Sequence, residues 1–122
     1  MSSKPAAPTY MFLFRNPANQ PDPSPAEMQQ SFEKWMTWIK VMKAKRQYIA
    51  GEPLEDTPAK VLRGPRGKSV TDGPFAEAKE VVAGYMLIAA KDFKQALEIA
   101  QDCPGYERNC TVEVRQIMPI PV

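Results

Sequence analysis

The best candidate for a functional site in the sequence is the stretch Asp-Gly-Pro-Phe-Ala-Glu, residues 72–77. Gly tolerates positive φ and Pro fixes its own φ, so the stretch predicts a turn. An Asp at the head of a turn usually accepts a hydrogen bond from the backbone N–H two residues later, but here that residue is Pro74, which has no N–H. The carboxylate of Asp72 must therefore reach the Phe75 N–H, meet a cation, or face solvent in a cleft. A candidate site residue and a structural Asp bonded to loop amides are both open interpretations.

The composition limits the chemistry that such a site could perform. The chain has no His, so acid–base catalysis would have to use a carboxylate, Tyr, Lys or thiolate. With two Cys and no His, a zinc site of the usual ligand types is implausible, and we predict no metal and no cofactor. A carboxylate in a partly apolar cleft can have its pKa raised toward neutrality, which suits an acid or base. Asp72 is the predicted catalytic residue.

Four more side chains are predicted to bind a ligand: Arg115, Lys79, Tyr85 and Glu113. Arg115 or Lys79 would orient an anionic substrate, and Tyr85 would donate a hydrogen bond. For Glu113 and Arg115 the alternative is pairing with neighbours across a sheet, which we favour because charges on adjacent strands often pair.

Cys103 and Cys110 flank a short loop after the second predicted helix. A disulfide across this loop is conceivable, but the reducing cytoplasm keeps thiols free. A structural or incidental role is therefore favoured over a redox pair.

The elements that would position these residues can be traced along the chain. Thr9 to Arg15 alternates aromatic and aliphatic side chains, which predicts a buried strand. Ser24-Pro25-Ala26-Glu27 is typical of a capping box, and the helix it begins should end near Lys45. The helix has an apolar stripe that predicts core packing rather than a cofactor site. Its members are Met28, Phe32, Trp35, Met36, Ile39 and Met42, and Trp38 and Val41 widen it toward a possible partner subunit.

Further strands are predicted at residues 47–53, 60–63, 68–71, 81–90 and 112–118, and a second helix begins after the cap Asp92. Residues 60–71 form a hairpin whose tip carries Arg63, Arg66 and Lys68. The tip could bind an anion, although a solvated tip is favoured. Gly-Lys-Ser at residues 67–69 lacks the spacing of a P-loop, which we exclude.

The order strand, helix, strands, helix, strand predicts an α+β, ferredoxin-like fold with two helices on one face of a mostly antiparallel sheet. The other face would carry Glu113 and Arg115 together with apolar groups from residues 81–90. Those apolar groups are too numerous to leave in water, so face-to-face pairing in a homodimer is predicted.

The same stretches resemble a known family. Asp72-Gly73-Pro74-Phe75 and the following Ala-Glu-Ala-Lys-Glu-Val-Val-Ala-Gly-Tyr resemble the signature of the DGPF family of bacterial YCII-related proteins. Gly51-Glu52-Pro53-Leu54, Val61-Leu62-Arg63, Cys103-Pro104 and the segment Thr111 to Arg115 are similar to other family motifs, whereas Gln116 replaces an expected Pro. The resemblance implies a dimeric α/β barrel with a cleft between or beside the sheets. A His–Asp pair proposed as catalytic in YCII-like proteins cannot be carried over, since this chain has no His.

Length and charge limit the remaining possibilities. The length of 122 residues predicts one domain, residues 1–122, which by the resemblance is a YCII-related domain, with residues 1–8 as a flexible arm. A net charge of +2 does not indicate direct nucleic-acid binding. The sequence has no long apolar run and no signal peptide, which predicts a cytoplasmic protein without membrane contact. Three functions stay open. They are an enzyme that uses Asp72 on a small organic acid, a ligand-binding or regulatory protein associated with an alternative sigma factor as the resemblance implies, and a structural dimer.

Overall fold

A computed structural model describes residues 7–75 and 77–121. The elements run β1 (Thr9–Pro17), α1 (Pro25–Ala44), β2 (Tyr48–Pro53), β3 (Ala59–Arg63), β4 (Ser69–Gly73), β5 (Glu80–Ala89), α2 (Phe93–Gln101) and β6 (Thr111–Gln116). Strands β2, β5, β1 and β6 form a four-stranded sheet in that order, and every neighbouring pair is antiparallel. The predicted α+β, ferredoxin-like fold is confirmed. Of the predicted arm, residues 1–6 lie outside the described residues.

The two faces of the sheet follow from the alternation along its central strands. Tyr10, Phe12 and Phe14 of β1 are buried under the helices, as are Met86 and Ile88 of β5. Phe12 stacks on Trp38 of α1 with ring centroids 6.3 Å apart. The opposite face, here called the open face, carries the alternate side chains of the same strands, which are partly exposed.

Local hydrogen bonds explain where the helices begin. The Ser24 hydroxyl accepts from the Glu27 N–H, and the Glu27 carboxylate accepts from the Ser24 N–H, so the predicted capping box is confirmed. The Asp92 carboxylate accepts from the Gln95 N–H at the start of α2. Both helices therefore begin at sites that the sequence fixes locally.

Strands β3 and β4 form a separate two-stranded hairpin between β2 and β5. A 3₁₀ turn, Pro65–Gly67, makes its tip, and Arg66 and the flanking Gly64 and Gly67 have positive φ. Leu62 and Val70 face each other across the hairpin, and both are more than half exposed. The hairpin thus presents apolar surface to solvent.

The prediction that the whole α1 stripe is core is wrong for the first half of the helix. Trp38 and Met42 are buried, but Met28 is 58% exposed, Phe32 61% and Met36 38%. In α2 the buried residues are Ala96, Ile99 and Ala100, whereas Phe93 and Leu97, which belong to the same apolar set, are each 42% exposed. Periodicity identifies an apolar stripe but not which part of it reaches the sheet.

Candidate functional site

The exposed half of the α1 stripe faces a cavity of about 500 Å³. This cavity, here called the helix-side pocket, lies between the first turns of α1 and the end of the sheet where β2 pairs with β5. Its walls are mostly apolar and aromatic, and its size falls in the range of small-molecule sites. The lining includes Met28, Phe32, Trp35, Met36, Ile39, Phe14, Tyr48 and Met86.

Two glycines allow the strands on the floor of this pocket to approach closely. A Cβ atom on Gly84 of β5 would lie 2.9 Å from the Glu52 carbonyl oxygen of β2, and one on Gly51 would lie 3.0 Å from the Tyr85 carbonyl oxygen. Gly51, Gly84 and the backbone around them line the pocket. Small residues on the floor and large ones on α1 together leave space between the layers.

A 3₁₀ segment, Pro104–Arg108, closes one end of the pocket. Arg108 donates a hydrogen bond of 2.8 Å to the Pro21 carbonyl oxygen, and Lys34 of α1 pairs with Glu107 at 2.6 Å. These bonds tie the segment to α1 and to the loop before it. Arg108 is partly buried and brings a permanent positive charge to a pocket whose other walls are mainly apolar. Its charge also contributes to lowering the pKa of Glu27, after the larger effect of the hydrogen bonds with Ser24.

The two cysteines flank the segment that closes this end of the pocket. Cys103 and Cys110 are free thiols, buried at either end of the 3₁₀ segment, and Cys110 lines the pocket. Gly105 packs between Cys110 and Trp35, because a Cβ atom there would lie 2.9 Å from the Cys110 Cβ and 3.1 Å from the Trp35 ring. The sequence prediction left this pair as structural or incidental and did not connect it with a pocket.

Asp72 lies elsewhere, on β4 of the hairpin opposite Lys60. Its carboxylate pairs with the Lys60 ammonium group, and its side chain is 87% exposed. The sequence left three possibilities for this carboxylate: the Phe75 N–H, a cation or solvent. The structure shows the cation, Lys60. It does not line the helix-side pocket, and its role in catalysis stays a prediction.

The other predicted site residues divide between two places. Tyr85, Glu113 and Arg115 come together on the open face, because Tyr85 and Glu113 both lie opposite Leu13 and Arg115 lies opposite Met11. Glu113 pairs with Arg15 across the sheet at 2.6 Å, and Arg115 is 3.8 Å from Glu113. These contacts agree with the alternative of pairing within the sheet. Tyr85 also borders the helix-side pocket, whereas Lys79 lies exposed in the loop before β5.

The basic hairpin tip forms an open depression lined by Arg63, Arg66 and Lys68. Arg63 lies over the Phe75 ring, 4.7 Å from its centroid. The exposure of all three cations agrees with the favoured interpretation of a solvated tip.

Within the described ranges, no three His, Cys, Asp or Glu side chains cluster closely enough to hold a metal ion. Likewise, no helix in residues 7–75 or 77–121 has the length and hydropathy needed to cross a membrane.

Comparison with known proteins gives one family. The family model of the YCII-related domain matches residues 9–121, from the first residue of β1 to the end of the described chain. A search of curated proteins finds no match. The matched residues make up nearly the whole chain and include both the sheet and the hairpin. This chain therefore belongs to the YCII-related family.

Proposed function

We propose that this protein is a homodimer that binds a small amphipathic organic acid in the helix-side pocket of each protomer. The ligand would place its apolar part against α1 and its acidic group toward Arg108. The observation that carries this proposal is the cavity of about 500 Å³ bounded by large exposed apolar side chains.

The apolar part of the ligand follows from the cost of leaving this surface in water. Met28, Phe32 and Met36 are all exposed on one stretch of α1, and clustered apolar surface of this kind is a common mark of a binding site. Met side chains adapt their shape to different ligands, and Phe offers a flat face. An aromatic ring or a medium-length aliphatic chain fits these walls.

The acidic group follows from Arg108. Its guanidinium carries five N–H donors, and one of its nitrogens donates to the Pro21 carbonyl oxygen. A guanidinium can present further donors to a carboxylate, and low local polarity strengthens such a contact. Arg108 would thereby select an acid over a neutral molecule of the same shape.

The dimer is proposed from the open face. Met11, Leu13, Tyr85 and Leu87 form a continuous set on adjacent strands and remain partly exposed in one protomer. Packing two such faces together would remove them from water. We expect light scattering to give twice the 13.7 kDa mass of the chain, and Leu13→Lys to give the monomer mass. Leu62→Lys on the hairpin is the matched control and should leave the dimer intact; equal effects of both changes would contradict this interface.

Acid–base chemistry at Asp72 is a further part of the proposal and is separate from the helix-side pocket, because Asp72 lies on the hairpin. The Asp72 carboxylate pairs with Lys60 and is 87% exposed, so a substrate could reach it directly from solvent. Asp72→Asn should then abolish turnover of a bound acid without changing its affinity. Unchanged turnover would make Asp72 a structural partner of Lys60.

Ligand binding is tested with a matched pair of probes, decanoate and decanol, titrated into the full-length protein and followed by the combined fluorescence of Trp35, which lines the pocket, and Trp38. Decanoate should bind more tightly than decanol. Arg108→Gln should remove this preference, whereas Arg66→Gln on the hairpin tip should keep it. If neither probe changes the fluorescence or raises the midpoint of thermal unfolding, the pocket does not bind this class of ligand.

A regulatory role is the second candidate, and the hairpin supports it. Leu62 is 59% exposed, Val70 55% and Phe75 45%, which places apolar surface away from the open face. The proposed partner is an alternative sigma factor of the source organism. Leu62→Asp should abolish co-purification of the two proteins, and Leu54→Asp, at a similarly exposed position outside the hairpin, should not.

A further inference from the structure

Two thiols flank the 3₁₀ segment that closes the helix-side pocket. Cys103 precedes the 3₁₀ segment Pro104–Arg108, and Cys110 follows it, separated from it by Asn109 alone. The segment folds back on itself, because the Cys110 N–H donates to the Gly105 carbonyl oxygen at 3.1 Å. In this turn the Gly105 N–H donates to the Cys103 sulfur, and a Cβ atom at Gly105 would lie 3.1 Å from the Cys110 sulfur, so both thiols lie against Gly105.

The two thiols have different electrostatic surroundings. The hydrogen bond from the Cys103 thiol lowers the pKa of Cys110, and a hydrogen bond from the Arg15 backbone acts in the same direction against burial and the Glu80 charge. The same contact with Cys110, together with burial, raises the pKa of Cys103. The Cys103 sulfur also accepts from the Gly105 N–H at 3.3 Å. The Cys110 thiol donates to the Thr111 carbonyl oxygen at 3.4 Å, and of the two thiols it is the one whose pKa is lowered, so Cys110 is the one that reacts as a thiolate.

The two cysteines also differ in their access from the pocket, and Cys110 is again the one expected to react. Both side chains are buried, but Cys110 lines the helix-side pocket and Cys103 is not part of its lining. A small neutral oxidant that enters the pocket would meet the Cys110 sulfur first. The geometry thus combines a thiol on the pocket wall with a second thiol that lies against the same turn residue, Gly105.

We infer that Cys103 and Cys110 form a site of reversible oxidation by peroxides. The Cys110 thiolate attacks one oxygen of hydrogen peroxide and breaks the O–O bond, which gives a sulfenic acid and releases hydroxide. The Cys103 sulfur then attacks the Cys110 sulfur, its proton leaves with the hydroxyl group as water, and a disulfide forms. Each peroxide takes two electrons from the thiol pair. The reaction goes beyond the proposed ligand, because it requires the pocket only as a passage.

The test uses the reduced, full-length protein with hydrogen peroxide, followed by alkylation of remaining thiols and digestion with trypsin. Trypsin cuts after Arg108, between the two cysteines, so a disulfide would hold together two peptides that otherwise separate. We expect loss of both alkylatable thiols and the linked peptide pair, at a yield independent of protein concentration. Oxidation confined to Met residues, with both thiols still alkylatable, would overturn the inference, as would a disulfide between two chains.

The order of events is tested with single variants and the sulfenic acid reagent dimedone. In Cys103→Ser, dimedone should label Cys110, because no thiol remains to resolve its sulfenic acid. In Cys110→Ser, Cys103 should stay unlabelled. Equal labelling of both variants refutes the assignment of Cys110 as the reacting thiol. Circular dichroism checks that each variant is folded, and the peptide mapping of the unaltered protein stands without them. Failure of decanoate to bind would leave the thiol result unaffected, so the two proposals can fail separately.

Discussion

The substitution Phe32→Ser tests whether the exposed apolar side chains of α1 bind a ligand or are ordinary solvent-exposed surface. Phe32 is 61% exposed, so the change should cost the folded chain little. The accessible surface of a Phe side chain is roughly 200 Å², so in the unaltered protein about 120 Å² of Phe32 is in contact with water. A ligand that covers half of this surface removes about 60 Å² from water. At about 25 cal/mol per Å², this contact contributes about 1.5 kcal/mol, or roughly tenfold in Kd.

The assay is titration of decanoate into the unaltered protein and into Phe32→Ser, with Leu62→Ser as the matched control. Leu62 is 59% exposed and lies on the hairpin, outside the helix-side pocket. We expect about a tenfold weaker Kd for Phe32→Ser, and no change for Leu62→Ser. Equal affinities in all three proteins would refute the proposal that ligand packs on the exposed half of α1. Equal weakening in both variants would point to general surface adhesion.

Three further predictions concern stability. Gly105→Ala would force a Cβ atom to within 2.9 Å of the Cys110 Cβ, so it should lower the free energy of unfolding by about 1–3 kcal/mol in urea titrations. Gly73→Ala is the control, since its close contact is a methyl group of an exposed hairpin, and an equal cost would contradict this account. Ser24→Ala removes the cap of α1 and should cost about 1 kcal/mol, measured in the same way. Hydrogen bonds with Ser24 lower the pKa of Glu27 from 4.5, so its contribution is present above that pH and is lost as the pH falls through the folded value. Glu27→Gln should therefore show a weaker loss of stability in acid, and an unchanged acid profile would argue against the capping box in solution.

The sequence predicts those parts of the fold that depend on neighbours along the chain. Capping needs residues three positions apart, and both predicted caps are confirmed. The strands follow from alternation, and their order in an antiparallel sheet follows from the sequence of elements. The predicted boundaries differ from the observed ones by about two residues or fewer, which is the usual uncertainty at element ends.

The partner of Asp72 could not be assigned from the sequence in the same way. The turn chemistry shows that its carboxylate lacks the usual backbone donor, but the identity of the donor depends on the register of the hairpin. In the observed register Asp72 lies opposite Lys60, twelve residues earlier. A shift by one residue would have put these side chains on opposite faces. Local reasoning could define the requirement for a partner without identifying it.

The pocket was missed because its walls come from segments with no local relation. One stripe on α1 performs two tasks: Trp38 and Met42 pack on the sheet, whereas Phe32 borders open space. The change from core packing to pocket lining occurs at Trp35. Its ring packs edge-on against Phe14, with centroids 5.1 Å apart, and also contacts the turn at Gly105. Beyond it, the 3₁₀ segment and the loop before α1 occupy the position where the sheet would otherwise meet the helix. The apolar stripe runs the full length of a 20-residue helix, about 30 Å, and its beginning at Met28 and Phe32 stays exposed and does not pack on the sheet. The surplus at the start of α1 had to face a ligand, a partner or water, and the cavity beneath it favours the ligand.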